Sequence, residues 1–140
     1  MTGEVVGVRD LQRRLKAIDK SIQPKIVAQA ARAAMIPMMK EARANAPQGK
    51  KTHRTYKGRL VAPGFLKRNI KLRKMKLRSK EHIGYSLAAR KEAWYGKLIE
   101  TGFKGIPGKS WLGRADRTHG NQVSANFRRN ILARIERAKR

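Results

Sequence analysis

The sequence predicts an α+β fold with N-terminal helices, a small mostly antiparallel sheet, a short helix and a long C-terminal helix. Two observations predict it. Apolar residues recur at steps of three and four near both ends of the chain, which is the period of an amphipathic helix. Between them, apolar and polar residues alternate from Ile70 to about Ala88, which is the period of a strand. A length of 140 residues suits one core, so we predict a single domain over residues 1–140.

Two helices are predicted before residue 46. The stripe of the first, from about Val8 to Lys20, consists of Val8, Leu11, Leu15, Ile18 and Ile22. Pro24 favours a new start, and an Ala- and Met-rich helix follows to about Asn45, with a kink expected at Pro37. This helix is apolar around much of its circumference. It therefore packs either in the core of one chain or partly against a neighbouring subunit.

The middle of the chain predicts a loop and then strands. No period is visible over about residues 48–64, which indicates a long basic loop of the kind that is usually functional or disordered. Phe65 to Asn69 fits one helical turn. The alternation after Ile70 changes phase at Lys74, which predicts a bulge or a break there. A cleaner strand follows around Tyr85, and Ser79 to Glu81 could turn a hairpin.

The last third predicts helices separated by a loop. Ala93 to Thr101 fits a short helix, with Gly102 as its left-handed C-cap. A Gly/Pro loop occupies Phe103 to Lys109, and Ser110 then fits an N-cap for a further helical segment. The final helix should begin at about Asn121, and its apolar stripe consists of Val123, Phe127, Ile131 and Ile135.

The charge indicates an anionic partner. Thirty-five Lys and Arg stand against nine Asp and Glu, which gives a net charge of +26 and a pI near 11.6. Nucleic acid, an acidic membrane surface and acidic neighbouring subunits all fit such a charge. The longest apolar run, Ala33 to Met39, is too short for a membrane span, which needs about twenty residues. No secretory signal is visible and cysteine is absent, so we expect intracellular synthesis.

Enzyme signatures are missing from the sequence. His53, His82 and His119 are far apart, and none has a partner at the spacing of a metal site. No pair stands out among the nine acids, and the Gly-rich stretch after Gly102 lacks the P-loop pattern. We therefore predict no enzymatic activity, no cofactor and no metal.

One basic segment carries much of the charge. No Asp or Glu occurs between Glu41 and Glu81, while Lys50 to Lys80 contains thirteen Lys or Arg. The residues predicted to contact DNA or an acidic partner are Lys50, Lys51, Arg54, Lys57, Arg59, Lys67 and Arg68. No motif for reading bases is visible, so we expect any contact with nucleic acid to be with the backbone and independent of sequence.

The order of short motifs resembles the neck, tail-completion or head–tail connector proteins of tailed bacteriophages. The motifs are Ala44 to Pro47, Gly64 to Ile70 before a strand, Trp94-Tyr95 with Leu98 to Gly102, and Ser110 to Ala115 before a long helix. Ser110 and Arg114 stand where the family has prolines, and Gln48 to Pro63 reads as an insertion. An alternative alignment uses Gly58 to Leu60 in place of the second motif, but no strand follows directly there.

The resemblance implies a structural virion protein, made in the host cytoplasm, that forms a ring at the head–tail junction. Such a ring joins the portal assembly to the tail tube and lets double-stranded DNA pass. The implied partners are further copies of the chain, portal-side head-closure or adaptor proteins, tail-terminator or tail-tube proteins, and DNA. Predicted interface or core residues are Trp94, Tyr95, Glu100, Gly102, Trp111 and Leu112. Glu100 is either a residue before a helix cap or half of a salt bridge between subunits. The alternative is a free-standing, sequence-independent nucleic-acid-binding protein of the ribosomal or nucleoid-associated type.

Overall fold

The structure, a computed structural model, describes residues 8–54, 58–79 and 82–138. For His53 it describes the backbone alone. The helices are α1 (Val8–Lys16), α2 (Gln23–Asn45), α3 (Phe65–Arg68), α4 (Gly96–Thr101), α5 (Trp111–His119) and α6 (Val123–Ala138). The strands of this part form three two-stranded sheets, β1 (His53–Arg54) with β2 (Leu60–Val61), β3 (Ile70–Lys74) with β4 (Tyr85–Ala89), and β5 (Gly102–Phe103) with β6 (Ile106–Pro107). The predicted α+β class is confirmed.

The chain divides into two compact units. Unit 1 comprises the described residues of Met1–Ile36, Lys74–Ser86 and Asn121–Arg140, and unit 2 comprises those of Pro37–Arg73 and Leu87–Gly120. The single domain over residues 1–140 stays a prediction. The kink at Pro37 also stays a prediction, and α2 is helical on both sides of that residue.

The core of unit 1 is a cluster of aliphatic side chains from α1, the first half of α2 and α6. Its buried members are Leu11, Ile18, Ile26, Ala30, Ile131 and Ile135. The three- and four-residue spacing of these positions places them on one face of each helix, so burying them removes an apolar stripe from water. At the surface of the unit, Arg14 forms exposed ion pairs with Asp10 at 3.1 Å and Glu136 at 3.8 Å.

The first helix ends at Lys16, four residues before the predicted end. The backbone N–H of Ile18 donates to the carbonyl of Leu15 at 3.1 Å, which tightens the last turn. Asp19 then accepts two hydrogen bonds of 2.8 Å, from the backbone N–H and the hydroxyl of Ser21. Such local bonds to a short acidic side chain offer the backbone an alternative to the helix. They also lower the pKa of the Asp19 carboxyl, the backbone bond most strongly.

The core of unit 2 gathers residues from α2, β2, α3, β3 and α5. Its largest fully buried side chains are those of Val61 and Ile70, and Leu66, Trp111 and Ala115 are also buried. Arg43 of α2 donates two hydrogen bonds to the carbonyl of Ile70, from Nε at 3.0 Å and Nη2 at 2.8 Å. These bonds attach the C-terminal half of α2 to the start of β3.

The segment over residues 48–64, predicted as a long basic loop, contains a short antiparallel hairpin. His53 pairs with Val61 and Arg54 with Leu60. The hairpin is held at its base by Val61, which is 2% exposed. The helical turn predicted after it is confirmed as α3, and the break predicted at Lys74 is confirmed by the end of β3. The hairpin turn predicted at Ser79 to Glu81 includes residues outside the described part.

The helix predicted over Ala93 to Thr101 is two pieces, a 3₁₀ turn at Lys91–Ala93 and α4. Gly102 has a positive φ of 93°, as a C-cap requires, but its ψ of 159° is extended, so it is not a left-handed cap. It starts β5 instead, and the predicted Gly/Pro loop forms the β5–β6 hairpin. The final helix begins at Val123 rather than Asn121, which lies in a 3₁₀ turn at Gly120–Gln122.

Candidate functional site

The predicted basic contacts that the structure describes lie in unit 2, and two of them, Lys67 and Arg68, come together. Lys67 and Arg68 of α3 line one surface depression of about 410 Å³ with Arg43 and Lys71. All four described residues of this lining are cations. Sequence reasoning missed Arg43 and Lys71. Lys71 lies in the same acid-free segment and alternates with the buried Ile70, which was the available signal for it.

Of the remaining predicted contacts, Lys50 and Lys51 precede β1, Arg54 lies in β1, and Arg59 precedes β2. Lys50, Lys51 and Arg54 are exposed. The guanidinium of Arg59 lies over the ring of Phe65, 5.3 Å from its centroid, so its orientation is set by a cation–π contact. Lys57 lies outside the described residues.

A second basic depression adjoins the first through Lys71. It measures about 390 Å³, and its lining residues are Lys71, Leu72, Arg73, Arg90, Lys91 and Glu92. The single carboxylate is paired, because Oε2 of Glu92 lies 3.6 Å from Nε of Arg90. The hydrogen bond from its own backbone N–H holds the pKa of Glu92 below its ordinary value, and the charges of Arg90, Lys91 and Arg59 add to this. We call the two depressions together the Lys71 surface.

The predicted landmarks Glu100, Trp111 and Leu112 meet at the junction of α4 and α5. One carboxylate oxygen of Glu100 accepts from the backbone N–H of Leu112 at 2.8 Å, and the other accepts from that of Gly113 at 2.9 Å. These are the free N–H groups of the first turn of α5. Glu100 thus caps α5 from twelve residues away, a role that the sequence did not predict.

Ser110, the predicted N-cap, does not cap α5. Its backbone is left-handed, with φ and ψ both 44°, and its side chain makes no capping hydrogen bond. The backbone N–H of Ser110 donates instead to the carbonyl of Glu100 at 3.3 Å, and that of Lys109 donates to Ile99 at 2.7 Å. The chain after the β5–β6 hairpin is therefore held against the end of α4, which brings the Glu100 carboxylate to α5.

Trp111 is a core residue of unit 2. Its side chain is 2% exposed, and its Nε1–H donates to the carbonyl of Gly96 at 2.9 Å. Gly96 fits this place because a Cβ there would lie 2.8 Å from Cδ1 of Leu66. Helix α4 can approach the core this closely only without a side chain at that position.

Trp94 and Tyr95 adjoin each other but have different environments. Trp94 is 54% exposed, and its ring meets that of Tyr95 edge-on with centroids 6.2 Å apart. Tyr95 lines a largely apolar pocket of about 330 Å³ together with Val61, Phe65 and Ile99. Burial raises the pKa of the Tyr95 hydroxyl, and the charge of Arg68 opposes this shift.

The β5–β6 hairpin displays apolar side chains to solvent. Phe103 and Ile106 face each other across the two strands and are 49% and 66% exposed. The Nζ of Lys104 lies 5.3 Å from the centroid of the Phe103 ring. Adjacent exposed apolar residues of this size are typical of surfaces that bind other proteins.

The described residues hold no group of three or more metal-ligating side chains. Within the same residues, no helix is both long and apolar enough to cross a membrane. His119 lies 3.7 Å from Glu41, an ion pair only when the imidazole is protonated. The described residues offer a cationic surface and an exposed apolar hairpin, both of which can contact a partner.

These features define a basic α+β binding protein. Residues 9–102 match the family model of the bacteriophage HK97-gp10-like tail components. The chain belongs to this family, which gives it a structural role as a tail component of a phage and a place in the virion. The match includes the first three sequence landmarks, while Ser110 to Ala115 lie beyond it. No curated protein and no solved structure matches the chain significantly.

Proposed function

We propose that the chain is a structural protein of the phage neck that assembles as a ring. The ring joins the portal assembly of the head to the tail tube, and the genomic DNA passes through its channel. The observation that carries this proposal is membership in a family of phage tail components over residues 9–102. A structural role of this kind requires partners rather than a catalytic centre.

The charge supports a collective use of the basic residues. A net charge of +26 on 140 residues makes copies of the chain repel one another unless an anion offsets it. DNA in a channel is such an anion, held close to every subunit. In a closed ring each subunit also offers two different faces to its neighbours, and acidic faces of adjoining proteins could offset part of the charge.

The exposed apolar residues support contacts with other virion proteins. Phe103 and Ile106 contribute little to the fold because both are about half exposed or more. A double substitution, Phe103→Ala with Ile106→Ala, should therefore leave the thermal stability of the isolated chain nearly unchanged. It should reduce incorporation into particles, measured by quantitative immunoblotting of purified virions. Normal incorporation would remove the hairpin from the assembly contacts.

The test of the proposed function is the morphology of particles assembled without this protein. Negative-stain images should show DNA-filled heads and complete tails that are not joined, and supplying the wild-type protein should restore joining. Normally joined particles in its absence would contradict a neck function. A free-standing nucleic-acid-binding protein would instead remain monomeric and bind DNA tightly, so size measurements beside a salt series of gel shifts separate the two functions.

A further inference from the structure

We infer that the Lys71 surface, rather than the β1–β2 hairpin, is the part of the chain that contacts the phosphate backbone of duplex DNA. This deepens the proposed function and rests on it only for the choice of DNA as the polyanion. Lys71 lines both depressions, and among the described residues the two linings hold seven cations and one carboxylate. Among the residues that the structure describes, Lys51 lines a largely apolar pocket with no second cation.

The two arginines of the first depression are held in position by main-chain carbonyls. Arg43 donates from Nε and Nη2 to the carbonyl of Ile70 at 3.0 and 2.8 Å, and Nη1 of Arg68 donates to the carbonyl of Pro63 at 3.0 Å. Within the described residues, neither guanidinium is paired with a carboxylate. A main-chain carbonyl fixes each arginine side chain without neutralising it, so the positive charge stays available to an anion. Because the side chain is already ordered, it loses little conformational entropy when the anion binds.

The composition of the lining favours DNA over an acidic protein. Interfaces between proteins have an apolar or aromatic centre and are depleted in lysine. Interfaces with DNA are more polar and much more positively charged. Among the described residues, Leu72 is the only apolar member of the two linings, and three lysines contribute to them, Lys67, Lys71 and Lys91.

The same lining favours backbone contact over base recognition. Single-stranded nucleic acid is usually held by aromatic side chains on which bases stack. In the part of the chain that the structure describes, neither lining contains an aromatic residue. Lys71 and Arg73 are two residues apart on β3, so they leave the strand on the same face, about 6.6 Å apart. A row of cations of this kind matches a backbone with regularly repeated charges.

The test compares two variants that each lose two positive charges. Lys67→Gln with Lys71→Gln alters the Lys71 surface and leaves the arginine hydrogen bonds in place. Lys50→Gln with Lys51→Gln, in the segment just before β1, is the matched control and is called the hairpin variant. Binding of the full-length chain to a random-sequence duplex of about 30 base pairs is measured by fluorescence anisotropy from about 0.05 to 0.3 M NaCl. Circular dichroism and thermal melting verify that both variants fold.

We expect the Lys71-surface variant to lose two phosphate contacts. The slope of log affinity against log salt should become shallower by about 1.8, and Kd at about 0.15 M salt should rise about thirtyfold. The hairpin variant should change Kd by less than about threefold, as a general loss of charge does. Equal losses in both variants, or a larger loss in the hairpin variant, would overturn the inference.

A second arm uses poly-L-glutamate in place of DNA. If the Lys71-surface variant lost affinity for poly-L-glutamate while keeping its affinity for DNA, the surface would be a site for an acidic protein and the inference would be wrong. Binding is measured on the isolated chain, whereas head–tail joining is measured on particles. If the neck function proves wrong, the DNA-binding result can still be interpreted. If the DNA contact proves wrong, the result on head–tail joining can still be interpreted.

Discussion

Replacement of Glu100 tests the joint between α4 and α5. Its two carboxylate oxygens accept from the backbone N–H groups of Leu112 and Gly113 at 2.8 and 2.9 Å. Glu100→Ala removes both acceptors. Glu100→Gln keeps the shape and one oxygen, but it removes the charge and turns an amide NH₂ toward a backbone donor. The two variants therefore separate the loss of the cap from the loss of packing.

The magnitude follows from the geometry. Loss of an N-cap costs about 0.5–2 kcal/mol, and a hydrogen bond to a charged group contributes about 1.5–3 kcal/mol. Leu112 and Gly113 are partly exposed, so water replaces part of what is lost. We expect Glu100→Ala to lower the free energy of unfolding by about 2–3 kcal/mol and Glu100→Gln by about 1–2 kcal/mol. For a chain of this size these losses lower Tm by about 3 °C per kcal/mol.

Tryptophan fluorescence during urea unfolding is the appropriate assay, because both tryptophans of the chain, Trp94 and Trp111, lie in unit 2. Glu41→Gln is the matched control in the same unit. Its partner His119 is 3.7 Å away and pairs with it only when protonated, so the loss should stay below about 1 kcal/mol. If Glu100→Gln were no more destabilising than Glu41→Gln, the cap would be refuted, and a role for Glu100 between subunits would be favoured.

Two further predictions concern a close approach and a titration. Gly96→Ala should lower the free energy of unfolding by about 1–3 kcal/mol, because the new methyl would lie 2.8 Å from Cδ1 of Leu66. Gly49→Ala is the control in the same unfolding assay and should be nearly neutral, because the nearest atom to its methyl would be the carbonyl oxygen of Lys51 at 3.9 Å. Ser21→Ala should raise the pKa of Asp19 toward 3.8 without reaching it, since the backbone hydrogen bond remains. Because the pKa of Asp19 is lower in the folded chain than in the unfolded chain, its ionised carboxyl stabilises the fold at a pH above the unfolded pKa. This stabilisation is lost as the pH falls through the folded pKa. The variant should therefore differ from wild type least in acid, and an NMR titration of the Asp19 carboxyl that gave an unchanged pKa would contradict this.

Helices with a long run of regularly spaced apolar residues could be predicted from the sequence. Helix α2 begins one residue before the predicted start and ends at the predicted Asn45, because its apolar spacing and Pro24 are local signals. The end of α1 could not be predicted in the same way. The hydrogen bonds between Asp19 and Ser21 compete with the helix there, and their outcome depends on tertiary context rather than on spacing.

The short hairpins were not predicted, because strands of two residues are too short to show an alternation of apolar and polar residues. Strand β1 contains only His53 and Arg54, and β2 only Leu60 and Val61, so no alternation is long enough to be read. Their pairing depends on Val61 reaching the core of unit 2, which is a property of the fold. The β5–β6 hairpin was missed for the same reason.

Residues of the candidate site could be predicted only where they lie in a segment of the sequence that is rich in Lys and Arg and lacks Asp and Glu. The acid-free segment identified Lys67 and Arg68, which do line the Lys71 surface. Arg43 precedes the predicted contact segment and Arg90 lies beyond the acid-free stretch, so only folding brings them to that surface. The Glu100 cap was also invisible, because a side chain that caps a helix twelve residues away is indistinguishable in sequence from one that ends its own helix.

The most direct test of the central claim is a cryo-electron-microscopy reconstruction of the head–tail junction of the assembled phage. We predict density for this chain as a closed ring between the portal assembly and the tail tube, with the Lys71 surface toward the DNA in the channel. Density for the chain elsewhere in the virion, such as the distal end of the tail, would contradict the neck function. A ring at the junction with the Lys71 surface turned away from the axis would contradict the DNA contact alone.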